Sequence, residues 1–217
     1  MDSRDTILQA AGEVFAEKPF HEATVRDICR KAGANISAIN YHFGDKNRLY
    51  VEAVSNARQL LEQRVPLPDW DDSTPADDRL RMFISTVLQR MLGNSPTPWQ
   101  SRLILREVLN PSEACRELVQ DWFAPYFSVL VEIIGLLAPK GTPIYRLHQL
   151  AFSVIGQCFY YRAQSQIVEM LISLDEKAAH YSPEQLTDHI VDFTLAGFRG
   201  MAPPPSNDLL KQSSFSD

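Results

Sequence analysis

What this chain lacks narrows its function before anything it contains. No apolar run approaches the ~18 residues that a membrane-spanning helix requires. Cysteine is scarce. Cys29, Cys115 and Cys158 are odd in number, far apart and set among apolar neighbours, so they read as reduced core residues of a cytosolic protein. No Cys/His spacing resembles a metal site. There is no phosphate-binding glycine loop, no nucleophile motif and no carboxylate pair, and no catalytic residue, metal or cofactor is assigned. The opening Met1-Asp2-Ser3-Arg4-Asp5 is charged and leads into an amphipathic segment, which is unlike a secretory signal. No stretch alternates with period two, so strands are not expected. An overall basic excess is missing as well: the net charge is −6 over 217 residues.

The distribution of charge weakens that last exclusion. Residues 24–48 hold Arg26, Arg30, Lys31, Lys46 and Arg48 against Asp27 and Asp45, a local +3. A small basic island in an acidic chain is compatible with a phosphate-binding footprint. Five basic residues in such a stretch also arise by chance.

Everything present reads as helix, and the fold class is all-α with about nine helices. Ile7, Ala11, Val14 and Phe15 mark one face of a first helix that starts near Ser3 and ends at Lys18-Pro19. Thr24-Val-Arg-Asp27 opens a second as a capping box, with Val25, Ile28, Cys29 and Ala32 inward and Gly33 as its stop. A short third helix covers about 36–42, with Ile36, Ile39 and Phe43 at the spacing of a buried face. Gly44 breaks it, and Asp45 caps a fourth helix over 46–64, whose inner face carries Leu49, Ala53, Val54, Ala57, Leu60 and Leu61. A loop rich in Pro and Asp, from Pro66 to Pro75, follows. Longer helices are expected at 76–92, 98–109, 112–137, 143–173 and 183–200, separated by Pro96-Thr-Pro98, Asn110-Pro111, Pro139 to Pro143 and Ser182-Pro183. The tail over 202–217, with three consecutive prolines and several serines, is expected to be disordered. The division is a helix-turn-helix domain at 1–47 and a helical bundle at 48–201, with helix 46–64 joining them.

Two short helices joined by "GAN" fit a helix-turn-helix, in which the second helix enters the major groove. Asn35, Ser37, Ala38, Asn40, Tyr41 and His42 are then left outside. Small groups permit close approach, and Asn and Ser can bond base edges or phosphates. The start of the next helix, with Lys46, suits a phosphate, as does Thr24. An ordinary helical hairpin with a polar outer face has the same pattern.

The ordered pieces "ILQAAGEVFAE", "ATVRDICRKAGANIS", "YHFGDK" and the Leu49-Tyr50 that follows resemble the DNA-binding domain of the TetR/AcrR family of bacterial regulators across nearly fifty residues. The resemblance implies a cytoplasmic homodimer on a palindromic DNA operator, usually a repressor, released by a small apolar or amphipathic effector, with no membrane partner. It places phosphate contacts at Thr24, Tyr41, His42 and Lys46, and base-facing positions at Ser37, Ala38 and Asn40. Arg26 and Asn35 join the candidate interface. Many members carry Leu-Tyr where this chain has Ile39-Asn40, which leaves Asn40 between a base edge and a phosphate. "INYHFG", "ILREVLNPSEA" and Tyr160-Tyr161-Arg162 are similar to the subgroup with a CerR/YbiH-like C-terminal domain.

In the bundle, the aromatics are most simply core. Polar groups set among them could orient an apolar ligand, which makes Arg106, Trp122, Tyr126, His148, Gln157 and Tyr161 the candidate effector contacts. The wide apolar faces of the last two long helices suggest a four-helix dimer interface, with Leu150, Val154, Cys158, Ile190, Phe193 and Gly197 in it. Packing inside one subunit has the same pattern. A helical enzyme and a helical adaptor that binds protein are the competing classes.

Overall fold

Short-range capping chemistry sets the element boundaries of the N-terminal part. The computed structural model describes residues 3–93 and 99–201. α1 spans Ser3–Glu17, α2 Val25–Ala32, α3 Ile36–Phe43 and α4 Lys46–Arg64. Each of the last three starts on a side-chain cap. Thr24 Oγ1 accepts from Asp27 N at 3.1 Å, Asn35 Oδ1 from Ala38 N at 2.8 Å and Asp45 Oδ1 from Arg48 N at 2.9 Å, supplying the acceptors that a helix start lacks. Gly33 and Gly44 close α2 and α3 at φ 63° and 80°, a region that favours glycine.

The remaining helices are α5 Ala76–Leu92, α6 Trp99–Leu109, α7 Glu113–Leu118, a π-helical turn Val119–Phe123, α8 Ala124–Leu137, α9 Ile144–Ala163, α10 Ser165–Leu171, α11 Leu174–His180 and α12 Pro183–Arg199. No strand occurs among the described residues, as the absence of period-two patterning predicts. Two expected helices are interrupted. The segment 112–137 contains the π turn, and 143–173 breaks at Gln164, where the backbone leaves the helical region (φ −113°, ψ 27°). α11 was not expected at all. Pro96-Thr-Pro98, the first residue of the helix expected at 98–109 and the tail 202–217 lie outside the described residues.

The chain divides into two compact units. One comprises the residues up to Leu67 together with Thr86–Tyr126, and the other Pro68–Ser85 together with the chain from Phe127 onward. In the first, α1, α4 and α6 pack on one another, with α2 and α3 against α1. They share one core that runs from Ile7, Phe15, Ile28, Ile39 and Phe43 through Leu49, Tyr50 and Ala53 to Trp99 and Leu103. Gly12 lies directly under the Trp99 ring, which a β-carbon there would approach to 2.2 Å. In the second unit α9 packs on α10 and α12.

Candidate nucleic-acid interface

α2 and α3 are joined by Gly33, Ala34 and Asn35, a three-residue turn of the helix-turn-helix kind. α2 is held to α1 through Ile28 and Cys29, and its outer start is a reciprocal box. Asp27 N donates to Thr24 Oγ1, while Thr24 N and Oγ1 donate to Asp27 Oδ2 at 3.2 and 2.8 Å. Lys18 Nζ donates to the same oxygen at 3.1 Å. The Thr24 hydroxyl and then Lys18 hold the Asp27 carboxyl down at about 2. Thr24, exposed at the N-terminus of α2, thus presents a rigid helix start.

α3 is pinned by Ile39 and Phe43, at 0% and 1% exposure. Ile36, expected on the same buried face, is 46% exposed, and that reading is corrected. Angle alone puts Ile36 close to Phe43, but seven residues at 1.5 Å rise separate them by roughly 10 Å along the axis. Ile36 therefore passes the edge of the core. Ser37, Asn40 and Tyr41 are exposed, Tyr41 at 84%. Two expected outward residues are partly buried instead. Ala38 packs against the core, and His42 lies edge-on between the Tyr41 and Phe43 rings, at 5.0 and 6.1 Å. Asn35 is exposed, but its carboxamide oxygen is engaged as the α3 cap.

The basic island sorts by partner. Lys31 is tied to Glu13 at 2.7 Å and Glu17 at 3.5 Å, and Arg30 lies 3.6 Å from Asp27. Arg26 and Arg48 are exposed. Lys46 is turned back rather than outward: its ammonium donates to the Phe20 carbonyl and sits 4.2 Å from the centre of the Phe20 ring. Burial there pulls its pKa down. A phosphate contact by Lys46 requires exchange of that carbonyl for a phosphate oxygen. Arg48, at the α4 N-terminus beside Gly44, is an exposed member of the basic island to which the sequence assigns no contact.

The candidate effector residues do not form one set. Arg106 donates to the carbonyls of Phe15 at 3.1 Å and Glu17 at 3.4 Å and so closes the C-terminus of α1. Trp122 and Tyr126 do meet, at 6.1 Å between ring centres. The buried Arg90 lies over both rings, 5.8 and 4.7 Å from their centres, and donates to Tyr126 Oη at 2.7 Å. The Trp122 indole N–H has no acceptor among the described residues. Arg90 was missed, although Leu80, Phe83 and Arg90 share one helical face, which places it inward. His148, Gln157 and Tyr161 belong to the other unit. His148 is exposed against the Phe127 ring, Gln157 donates to the Ser153 carbonyl at 3.3 Å, and Tyr161 lies 6.1 Å from the Tyr181 ring. A shallow groove between α4 and α7, with Ser55, Arg58, Glu117 and Asp121 in its lining, contains none of the six.

Of the residues expected at a dimer interface, Val154, Cys158 and Ile190 are buried within their own unit and Leu150 is half-buried. Phe193 and Gly197 are exposed. Phe152 and Gly156 of α9, not foreseen, are exposed too, with Phe152 and Phe193 both at 64%.

Residues 7–53 match the TetR family of bacterial regulatory proteins, and residues 76–198 match the C-terminal domain of the helix-turn-helix transcriptional dual regulator CecR. The CecR dual regulator of Shigella flexneri is 26% identical over 207 residues, 90% of this chain and 92% of that protein. A TetR-like transcriptional regulator from Rhodococcus sp. RHA1 has a similar fold, with a TM-score of 0.66 at 15% identity, covering 92% of this chain and 97% of that one. The regulator FadR of Bacillus subtilis, solved with stearoyl-CoA, superposes with a TM-score of 0.60 at 17% identity over 89% and 98% of the two chains. No helix among the described residues is long and apolar enough to cross a membrane.

Proposed function

Because this chain belongs to the TetR family of bacterial regulatory proteins, with the C-terminal domain of the CecR subgroup, we propose that it is a cytoplasmic, ligand-responsive repressor that binds a palindromic DNA operator as a homodimer. The observation that carries this reading is α3: Ile39 and Phe43 hold it, and Ser37, Asn40 and Tyr41 stand in solvent beside the capped N-termini of α2 and α4. Helix N-termini at Thr24 and Asp45 orient backbone N–H groups and a positive dipole end toward phosphates. Arg26 and Arg48 add charge there, and Lys46 joins them once it leaves the Phe20 carbonyl. The exposed set Phe152, Gly156, Phe193 and Gly197 on α9 and α12 supports a two-fold four-helix interface. Two α3 helices then meet successive major grooves, about 34–36 Å apart.

Release follows a population shift, in which a small apolar or amphipathic effector favours head positions that no longer match that spacing. The acyl-CoA complex of the FadR neighbour supports this class of ligand. In the first unit, the orphan indole N–H of Trp122 beside Arg90 and Tyr126 is where a polar group of the effector would be held.

A gel-shift and footprint on DNA upstream of the gene tests the reading. Binding should be steeply salt-dependent, and the footprint should cover two symmetric half-sites. Asn40→Ala should change sequence preference, whereas Lys46→Ala should weaken all sites alike. Absence of a protected palindrome, or wild-type binding by Lys46→Ala, refutes the corresponding assignment. A reporter read with and without the protein distinguishes repression from the dual regulation that the name of CecR describes.

A further inference from the structure

Ile36 opens α3 on the side that faces solvent. At 100° per residue, Ile36, Asn40, Ser37 and Tyr41 fall in that angular order on one arc of roughly 140°, and these are the exposed residues of the helix. Ile36 and Asn40 are one turn apart on the same strip, with Cβ atoms about 5–6 Å from each other. Scattered exposed apolar side chains are ordinary. Here the position is particular: a β-branched aliphatic group lies in the first turn of the helix that carries the outward Asn and Ser, within the basic island. Val25, Ala32, Ala34 and Ala38 pack against the core of this unit, and Ile36 is not among them. Its side chain has neither donor nor acceptor, so it has nothing to offer a phosphate.

In the major groove, the apolar feature of a base edge is the C5-methyl of thymine, and the group matched by an asparagine carboxamide is adenine N6/N7. We propose that Ile36 is a specificity-determining residue that packs on a thymine methyl, while Asn40 bonds the adenine of the same or the adjacent base pair. This assigns Asn40 to a base edge rather than a phosphate. Among the described residues neither Ser37 nor Asn40 has a side-chain hydrogen bond that would withdraw it. Asn35 is withdrawn, since its oxygen caps the helix. The inference rests on reading α3 as the recognition helix.

The test uses the full chain and needs no variant for its first arm. Sites are selected from a random duplex pool, and each thymine of the selected half-site is replaced in turn by uracil, which removes the methyl and leaves the hydrogen-bonding edge unchanged. One thymine per half-site should show a loss of about fourfold in affinity, the equivalent of one buried methyl group. Ile36→Ala, a truncation at an exposed position, should bind the thymine and uracil forms of that site equally. Uracil tolerance at every thymine, or undiminished discrimination by Ile36→Ala, overturns this inference and leaves the recognition helix standing. Failure to select any sequence overturns the recognition helix and this inference with it.

Discussion

Gly12 sets two effects of opposite sign against each other, and the structure decides between them. It lies inside α1, where glycine is worse than alanine by about 0.5–1 kcal/mol because it loses more backbone freedom on folding. Helix propensity alone therefore predicts that Gly12→Ala stabilises the protein. A β-carbon at Gly12, however, would lie 2.2, 2.5 and 2.9 Å from three carbons of the Trp99 ring. Carbon pairs rest at about 3.5–4.0 Å, so the ring must retreat by more than 1 Å. Trp99 is 4% exposed and belongs to the core that joins α1, α4 and α6, so it has no solvent to move into. Overpacking of this kind costs about 1–3 kcal/mol, and a rigid indole sits at the upper end of that range.

The net expectation for Gly12→Ala is a loss of about 2 kcal/mol, or roughly 4–8 °C in melting temperature for a chain of this size. Gly135→Ala is the matched control. It too lies inside a helix, and its β-carbon would meet only Leu147 at an ordinary 3.7 Å. That variant should gain about 0.5–1 kcal/mol. Denaturant melts followed by far-ultraviolet circular dichroism, at one protein concentration, compare the two. Stability of Gly12→Ala at or above wild type would refute the close approach of α1 and α6.

Tyr50→Phe removes the hydroxyl that donates to the fully buried Glu107 carboxylate at 2.6 Å; the same melts should show a loss of about 1.5–3 kcal/mol, and no loss would mean the bond is not formed. Asp27 titrates at about 2 because Thr24 and Lys18 stabilise its charged form. A depressed carboxyl contributes stability above its unfolded value, near 4, and loses that contribution as pH falls through about 2. A carboxyl chemical-shift titration with its midpoint near 4 would contradict the capping box. Phe152→Asp combined with Phe193→Asp should give a monomer of unchanged helix content in analytical ultracentrifugation, because both side chains lie in solvent within one chain. A dimer that survives both charges would place the interface elsewhere.

The parts of the fold legible in the sequence are those fixed by chemistry within four residues. Thr24, Gly33, Gly44 and Asp45 name the ends of α2, α3 and the start of α4, and each acts locally. Ser173 with Glu176 carries the same signature ahead of α11, where Glu176 N donates to Ser173 Oγ, and could have been read. The break at Gln164 is harder to read, since no Gly or Pro marks it and Ser165, a capping residue type, is the first residue of α10 rather than its cap. Helical periodicity gives direction but not depth. It put Ile36 with Ile39 and Phe43, yet Ile36 stands in solvent while Ala38 and Ile39 of the same turn meet the core. It likewise marked Val154, Cys158 and Ile190 as an apolar face without saying that this face is covered from within one chain. Amphipathic helices that pack on each other and helices that pair two subunits have the same period, so periodicity alone does not separate the cases.

The reading head is not a free-standing module, and that constrains how any signal reaches it. α1 and α4 share their core with α6 rather than ending at α3. Three polar ties reinforce that packing. Arg106 of α6 holds the last carbonyls of α1, and Glu107 beside it accepts from Tyr50 of α4. The same carboxylate accepts from Ser112 N and Oγ, at 2.7 and 2.8 Å, where the Ser112 hydroxyl in turn caps α7. Adjacent residues of α6 thus grip the two helices that carry α2 and α3, one from each side. A fully buried carboxyl group with three donors resists gradual deformation, because losing any one of them leaves a buried acceptor less satisfied. α1 and α4, on which α3 packs, are therefore held to α6. On the function proposed above, an effector that alters the spacing of two heads acts by moving α6 together with α1 and α4 rather than by loosening the turn at Gly33.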